Sequence, residues 1–198
     1  LLTHMASQVP PGADGLTMLP HLSGAFSPEY EPAARGVYFG FTLGHRRDHF
    51  VRATLEAVAF VLRRNIELLS GIGAVAQEIR SHGGGARSSV WNQIKADVCS
   101  LPVVTLHGAE AAVRGDALLA GVSSGAFRDL SQACQATLRF EARFEPDATT
   151  RSAYETAYTR YIQLFDTVRP LFQWADEPVA ATDDTNQPAP VGHDPGRM

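Results

Sequence analysis

Three consecutive glycines, Gly83, Gly84 and Gly85, stand in "HGGGARSSVWNQIKAD" (residues 82–97), followed by Ala86 and two hydroxyls, Ser88 and Ser89. These types in this order suit a nucleotide. Glycine has no Cβ, so a ligand can lie directly against the main chain. The N–H groups at the start of the helix that follows have no intrahelical partner, and the helix dipole favours polar or anionic acceptors there. Charge-assisted hydrogen bonds of this kind contribute about 1.5–3 kcal/mol each. Two standard phosphate motifs fail on inspection. The run matches GxGxxG only in its first two glycines, because Ser88 takes the last place, and no Gly-Lys-Ser/Thr follows to make a P-loop. Glycine-rich turns also occur with no ligand, so the triplet alone leaves a bare turn and a nucleotide loop both open.

Other chemistry-bearing side chains are sparse. Cys99 and Cys134 are far apart and lack CxxC spacing, which reads as reduced structural thiols and not as a metal site or a disulfide framework. His45 and His49 have no histidine or carboxylate set at metal spacing, so no metal ligand is assigned. Glu56 sits on a long helical segment, where it reads as a surface ion pair with nearby arginines, contributing about 0.3–0.5 kcal/mol.

The elements that must position the glycines follow from periodicity. "EIRSH" (78–82) is a strand leading into them, Ser88 or Ser89 caps a helix through "VWNQIKADVCS", and "PVVTLHG" (102–108) is a second strand. No clear βαβ unit is evident around the turn. Upstream, residues 15–24 are extended, 25–36 are a loop and "VYFGFTLG" (37–44) is a strand. A helix over 49–69 is capped by Asp48 and stopped by Gly71 and Gly73, with Phe50, Ala53, Leu55, Ala57, Val58, Val61, Leu62, Ile66 and Leu69 on its apolar face. Downstream come helices over 110–127 and 129–137, a strand over 138–146, and a helix from Asp147 to Phe172. The apolar stripe of that last helix is Tyr154, Ala157, Tyr158, Tyr161, Ile162, Phe165 and Val168. Alternating strands and helices indicate an α/β domain. Residues 1–14 read as the end of a preceding segment, 15–172 as the domain, and 173–198 as a disordered tail with little to bury.

Composition excludes some classes. The 198 residues are 44% hydrophobic with a formal charge of −4, enough for a core and without a basic stripe for nucleic acid. Lys95 is the single lysine. No run of 18 apolar residues offers a membrane span and the start lacks a signal peptide, so a cytoplasmic setting is expected.

Three stretches in order, "GVYFGFTLGHRRDHFVRATLEAVAF", "EIRSHGGGARSSVWNQIKADVCSLPVV" and "EAAVRGDALLAG", resemble the C-terminal half of the FGGY carbohydrate kinases, most closely their xylulokinase-like branch. Gly36, Gly40, His49, Phe50, Ala53 and Glu56 match the second signature of that family. The resemblance runs from Gly15 to Phe172. It implies the second of two actin-like, ribonuclease-H-like domains, with ATP in the cleft between them and its γ-phosphate passing to a sugar or polyol hydroxyl. Gly83, Gly84, Gly85 and Ala86 become the adenosine motif. Ser88 and Ser89 become partners of the base edge or the ribose. Asn92, one turn on, is either a further contact or a solvated helix amide.

The "AAVRGDALLAG" helix resembles the family's connecting helix near the hinge, where Gly115 allows close approach and Ala111, Ala112 and Ala117 keep the surface thin. Asp116 replaces the family's usual alanine; it caps, pairs with Arg114 or faces water, the last being favoured. Arg87 lies beside the cleft, facing phosphate or solvent. The aspartate base, the phosphate loops and most Mg²⁺ contacts belong to parts of the family's pattern not found here, since no DxGT-type or GTS stretch occurs. No catalytic residue is therefore assigned. The chain alone is expected to transfer no phosphate. Implied partners are ATP or ADP, a small sugar or polyol and an N-terminal kinase domain, with a homodimer admitted. Xylulose ranks ahead of other pentuloses, gluconate-like acids and glycerol. The competing reading is a non-catalytic nucleotide-binding or interaction module from a truncated kinase gene. A nucleotide-binding oxidoreductase is disfavoured by the broken GxGxxG and the lack of a βαβ unit.

Overall fold

Short strands and longer helices alternate along the chain, and the computed structural model describes residues 2–107 and 111–176. The order is α1 (Leu2–Ala6), β1 (Thr17–Leu19), β2 (Val37–Phe39), α2 (Arg47–Gly71), β3 (Ile79–Ser81), α3 (Ser89–Cys99), β4 (Val103–Leu106), α4 (Ala111–Ser123), α5 (Leu130–Thr137), β5 (Phe140–Phe144) and α6 (Arg151–Val168). Two sheets form. β1 and β2 make an antiparallel pair, while β3, β4 and β5 make a sheet in that order, β3 parallel to β4 and β5 antiparallel to it.

The parallel pair with α3 between its strands is a βαβ unit around the glycines, which corrects the expectation that none was there. The reason is local. β3 and β4 are only three and four residues long, too short for alternation to announce a parallel pair. Ser88 caps α3 as expected, its Oγ accepting from the Trp91 N–H at 3.1 Å.

Helices α2, α3 and α6 enclose the main core. Phe60, Ile94, Val98, Tyr154, Tyr158, Tyr161, Leu164 and Phe165 meet there, each large apolar side chain contributing about 1.5–3 kcal/mol by leaving water. The α6 stripe is therefore close to the one periodicity predicts. A smaller cluster of Val9, Ala13, Leu16, Met18, Ala53 and Ala57 ties the segment after α1 onto α2.

Four expectations change. The 37–44 strand ends at Phe39, because Gly40 turns the chain at φ +83° and a side chain there would meet the Gly15 carbonyl. Helix α2 starts at Arg47, two residues before the expected 49. Arg46 is the cap and its N–H is accepted by His49 Nδ1 at 3.2 Å, so Asp48 lies inside the first turn. The buried face of α2 holds His49, Arg52, Ala53, Glu56, Ala57 and Phe60, whereas Val58 and Leu69 are exposed. Charged residues occupy the stripe because they satisfy one another. Finally, the last helix is α only over Arg151–Val168, with a 3-10 turn before it and a 3-10 segment, Arg169–Asp176, after it. That segment takes in residues 173–176 of the expected tail; 177–198 lie outside the described residues.

Candidate functional site

The carboxyl ends of β3 and β4 open onto a cavity of about 450 Å³, lined by His82, Gly83, Ala86, Arg87, Ser89, Thr105, Leu106, His107, Glu141, Ala142 and Phe144. Open α/β sheets take ligands at this end of their parallel strands, and the N-terminus of α3 faces the same place. The size suits a small-molecule ligand. His82, Arg87, His107 and Glu141 give the lining polar and charged groups. Leu106, Ala142 and Phe144 offer apolar surface for a flat base.

The three glycines are glycines for three different reasons. Gly83 has φ +75° and ψ −165°, a conformation open essentially to glycine alone. Gly84 is exposed, and a Cβ added to it would meet nothing within 4 Å. At Gly85 a Cβ would come within 2.4 Å of the Trp91 ring. Its bareness serves the underside of the turn, where Trp91 also donates from Nε1 to the Leu55 carbonyl at 3.2 Å.

The remaining candidates divide in the same way. Ala86 and Ser89 line the cavity. Ser88 is half-buried; with its oxygen accepting from Trp91, its hydroxyl proton is left to donate elsewhere. Asn92 is fully buried, which corrects the solvated-amide reading, and its Nδ2 donates to the Ala86 carbonyl at 2.7 Å. On α4, Ala112 and Asp116 are exposed, and Gly115 is half-buried with open space where a Cβ would stand. Arg114 donates to the His107 carbonyl and not to Asp116. Helix α4 thus presents a thin face, with nothing packed on Gly115 among the described residues.

Behind the turn, Lys95 donates from Nζ to Ser81 Oγ at 2.7 Å and lies 4.9 Å from the centre of the Trp91 ring. Burial holds its ammonium below the ordinary lysine value. Gln93 Nε2 donates to Asp97 Oδ1 and to the Glu145 carbonyl, each at 2.7 Å, and Asp97 Oδ1 also accepts from the Asp147 N–H. These bonds fasten α3 to the end of β5, so the far cavity wall is fixed relative to the glycines. Sequence reasoning missed Gln93, Asp97, Thr105, Ala142 and Phe144. For Thr105 a signal existed, its place near the carboxyl end of a strand.

Glu56 pairs with an arginine as expected, but in the interior, which corrects the weak pair read from the sequence. It is 2% exposed, 2.6 Å from Arg52 Nε, and accepts from the Gly12 N–H at 3.0 Å. Arg52 also reaches the Ala6 carbonyl and the Tyr154 hydroxyl. Burial pushes the Glu56 carboxyl up, and Arg52 and the Gly12 N–H oppose that. This is a buried hub and not the surface pair expected. His49 does have carboxylate neighbours, Asp48 at 2.9 Å from Nδ1 and Asp14 at 3.1 Å from Nε2. Among the described residues, however, no group of three His, Cys, Asp or Glu is placed to hold a metal ion. No described helix is long and apolar enough to cross a membrane.

Comparison with known proteins bears on this geometry. Residues 1–124 match the family model for the C-terminal domain of the FGGY family of carbohydrate kinases. The chain is 33% identical over 157 residues to a xylulose kinase of Bacillus subtilis, covering 79% of this chain and 32% of the relative. It is 32% identical over 165 residues to a gluconokinase of the same organism, covering 83% and 32%. The crystal structure of xylulose kinase from Rhodospirillum rubrum superposes with a TM-score of 0.75 at 34% identity, over 87% of this chain and 34% of that one. The chain therefore spans about a third of the length of the relatives it matches. Its fold is the α/β, actin-like fold of these kinases, and the chain belongs to the FGGY family of carbohydrate kinases, carrying that family's C-terminal domain.

Proposed function

We propose that this chain holds the adenosine end of ATP in an ATP-dependent carbohydrate kinase whose acceptor is a hydroxyl of D-xylulose. The observation that carries the reading is the cavity at the carboxyl ends of β3 and β4, bounded by Gly83, Ala86 and Ser89 at the start of α3. The base packs against Leu106, Ala142 and Phe144. The ribose and base edge take hydrogen bonds from Ser88, Ser89 and the first-turn N–H groups of α3. Xylulose is favoured over gluconate because a xylulose kinase structure superposes at 34% identity against 23% for a gluconate kinase structure; similarity to a gluconokinase in sequence makes gluconate the competing acceptor.

Phosphoryl transfer of this kind is positioning plus electrostatic stabilisation by Mg²⁺ and phosphate-binding donors. Among the described residues no three His, Cys, Asp or Glu gather to hold a metal ion, and this chain is assigned no metal ligand. The base that takes the acceptor proton and the donors to the terminal phosphates belong, in this proposal, to an N-terminal kinase domain that closes on the chain. The 15–172 domain supplies grip and orientation, and α4 lies toward the hinge with Ala112, Gly115 and Asp116 on it.

Titration of the ¹⁵N-labelled chain with ADP tests the placement. Amides of Gly83 to Ser89 and of Thr105 to His107 are expected to shift together. Shifts confined to other regions, or none at saturating ADP, contradict it.

A further inference from the structure

Asn92 combines features that a plain helix residue would not. It sits on the first turn of α3 with no exposed surface, and its Nδ2 donates to the Ala86 carbonyl at 2.7 Å. Its Oδ1 is buried and has no donor among the described residues. Leaving a buried acceptor unpaired is destabilising, and an apolar side chain of similar size would avoid that cost. Among the described residues, the bond to the glycine turn is the one polar interaction of the side chain that offsets it. The partner is also informative. Ala86 lines the cavity, and so does Arg87, the next residue.

The peptide unit between them is planar and trans, so its carbonyl and its N–H point to opposite sides. Holding the Ala86 carbonyl therefore fixes the orientation of the whole Ala86–Arg87 peptide. Two more contacts hold the same turn from below. The Trp91 ring fills the space beneath Gly85, and Ser88 Oγ accepts the Trp91 N–H. The turn itself is a 3-10 helix over Gly84–Arg87, with the Ala86 N–H donating to the Gly83 carbonyl and the Ser88 N–H to the Gly85 carbonyl, each at 3.2 Å; to these the Asn92 bond adds a side-chain anchor on the Ala86 carbonyl, between two residues that line the cavity.

We infer that Asn92 is a positioning residue for nucleotide binding: it touches no ligand, and by holding the Ala86 carbonyl it sets the Gly84–Arg87 turn in its binding shape before the nucleotide arrives. Fixing a loop in its bound conformation beforehand lowers the ordering cost of binding. The inference rests on reading the cavity as the adenosine site. It moves Asn92 from the ligand's contact shell to the layer behind it.

The test uses the 198-residue chain with ADP as the probe, comparing wild type, Asn92→Leu and Asn92→Asp. Asn92→Leu keeps the size, satisfies the interior and removes the donor. Its ADP affinity is expected to fall about tenfold or more, and without ADP its Ala86–Ser88 amides should exchange faster than those of wild type. Asn92→Asp adds a readout that a merely structural role would not move. At about pH 8 its carboxylate only accepts and repels the Ala86 carbonyl. Near pH 5.5 a buried carboxyl is protonated and its O–H can donate to that carbonyl. ADP affinity relative to wild type should recover on acidification in Asn92→Asp and not in Asn92→Leu. If the leucine variant does not fold, the pH recovery of the aspartate variant decides. Equal ADP affinity in Asn92→Leu and wild type, or no acid recovery in Asn92→Asp, overturns the inference alone. Wild type that binds no ADP at Gly83–Ser89 overturns the adenosine reading and this inference with it.

Discussion

Two glycine-rich turns in this chain look alike in composition and differ in what the fold leaves open. In Pro10–Gly15, four consecutive residues are left-handed: Gly12 at φ +86°, Ala13 at +47°, Asp14 at +51° and Gly15 at +91°. The two non-glycine residues cost about 1–2 kcal/mol each in that conformation. The turn persists because the fold holds it from several directions. Glu56 accepts the Gly12 N–H, His49 Nε2 lies 3.1 Å from Asp14, and Ala13 is fully buried. In Gly83–Arg87 only Gly83 is left-handed. Trp91 and Asn92 hold that turn from beneath, while Gly83, Ala86 and Arg87 face a cavity. The first turn is consumed by structure. The second is anchored on one side and lines a cavity on the other, the arrangement that the proposed nucleotide loop needs.

The contrast can be broken at its strongest point first. Glu56→Ala removes the carboxylate that holds the Gly12 turn and leaves Arg52 buried without its partner. Loss of one member of a buried pair costs about 3–5 kcal/mol, so urea unfolding should show a large drop or no folded chain. A change under about 1 kcal/mol, the range of exposed pairs, would return Glu56 to the surface reading.

Gly85→Ala comes next. Its Cβ would overlap the Trp91 ring at 2.4 Å, and overpacking of this kind costs about 1–3 kcal/mol. The same measurement on Gly84→Ala should stay within about 0.5 kcal/mol of wild type, since its Cβ enters open space. Equal losses at the two glycines would show that the turn is not anchored from below as described.

The smallest expected effect concerns Lys95 beneath Trp91. Burial lowers its folded value below the ordinary 10.5. Between those two values the unfolded chain binds more protons than the folded one, so the Lys95 contribution makes stability rise with pH across that interval. Cys99 is pushed up to about 12 by burial and titrates largely above it. Subtracting the stability curve of Lys95→Met from that of wild type isolates the rise. A flat difference would mean that Lys95 is solvated.

Much of the glycine side of the cavity was legible in the sequence. The strand before the glycines, the Ser88 cap and α3 all follow from local rules, because caps and short-range periodicity are encoded within a few residues. The far wall was not legible. Ala142 and Phe144 reach the cavity through the antiparallel pairing of β5 with β4, a long-range register that includes an irregularity at Thr105/Leu106. Glu56 was misread for a related reason. An Arg and a Glu four apart look the same in sequence whether they face water or the Tyr154 hydroxyl. The left-handed run at Ala13 and Asp14 had no local signal at all, since neither residue demands that conformation and only the surrounding contacts hold it.

The most direct test of nucleotide binding at the carboxyl ends of β3 and β4 is the ADP affinity of Ala86→Leu, measured by calorimetry beside its urea stability. Ala86 lines the cavity, so a leucine there should occupy the space of the adenosine. At least about a tenfold loss of ADP affinity is expected in a chain that still folds. Undiminished ADP affinity in a folded Ala86→Leu chain would contradict it, and would place the nucleotide somewhere other than the carboxyl ends of β3 and β4.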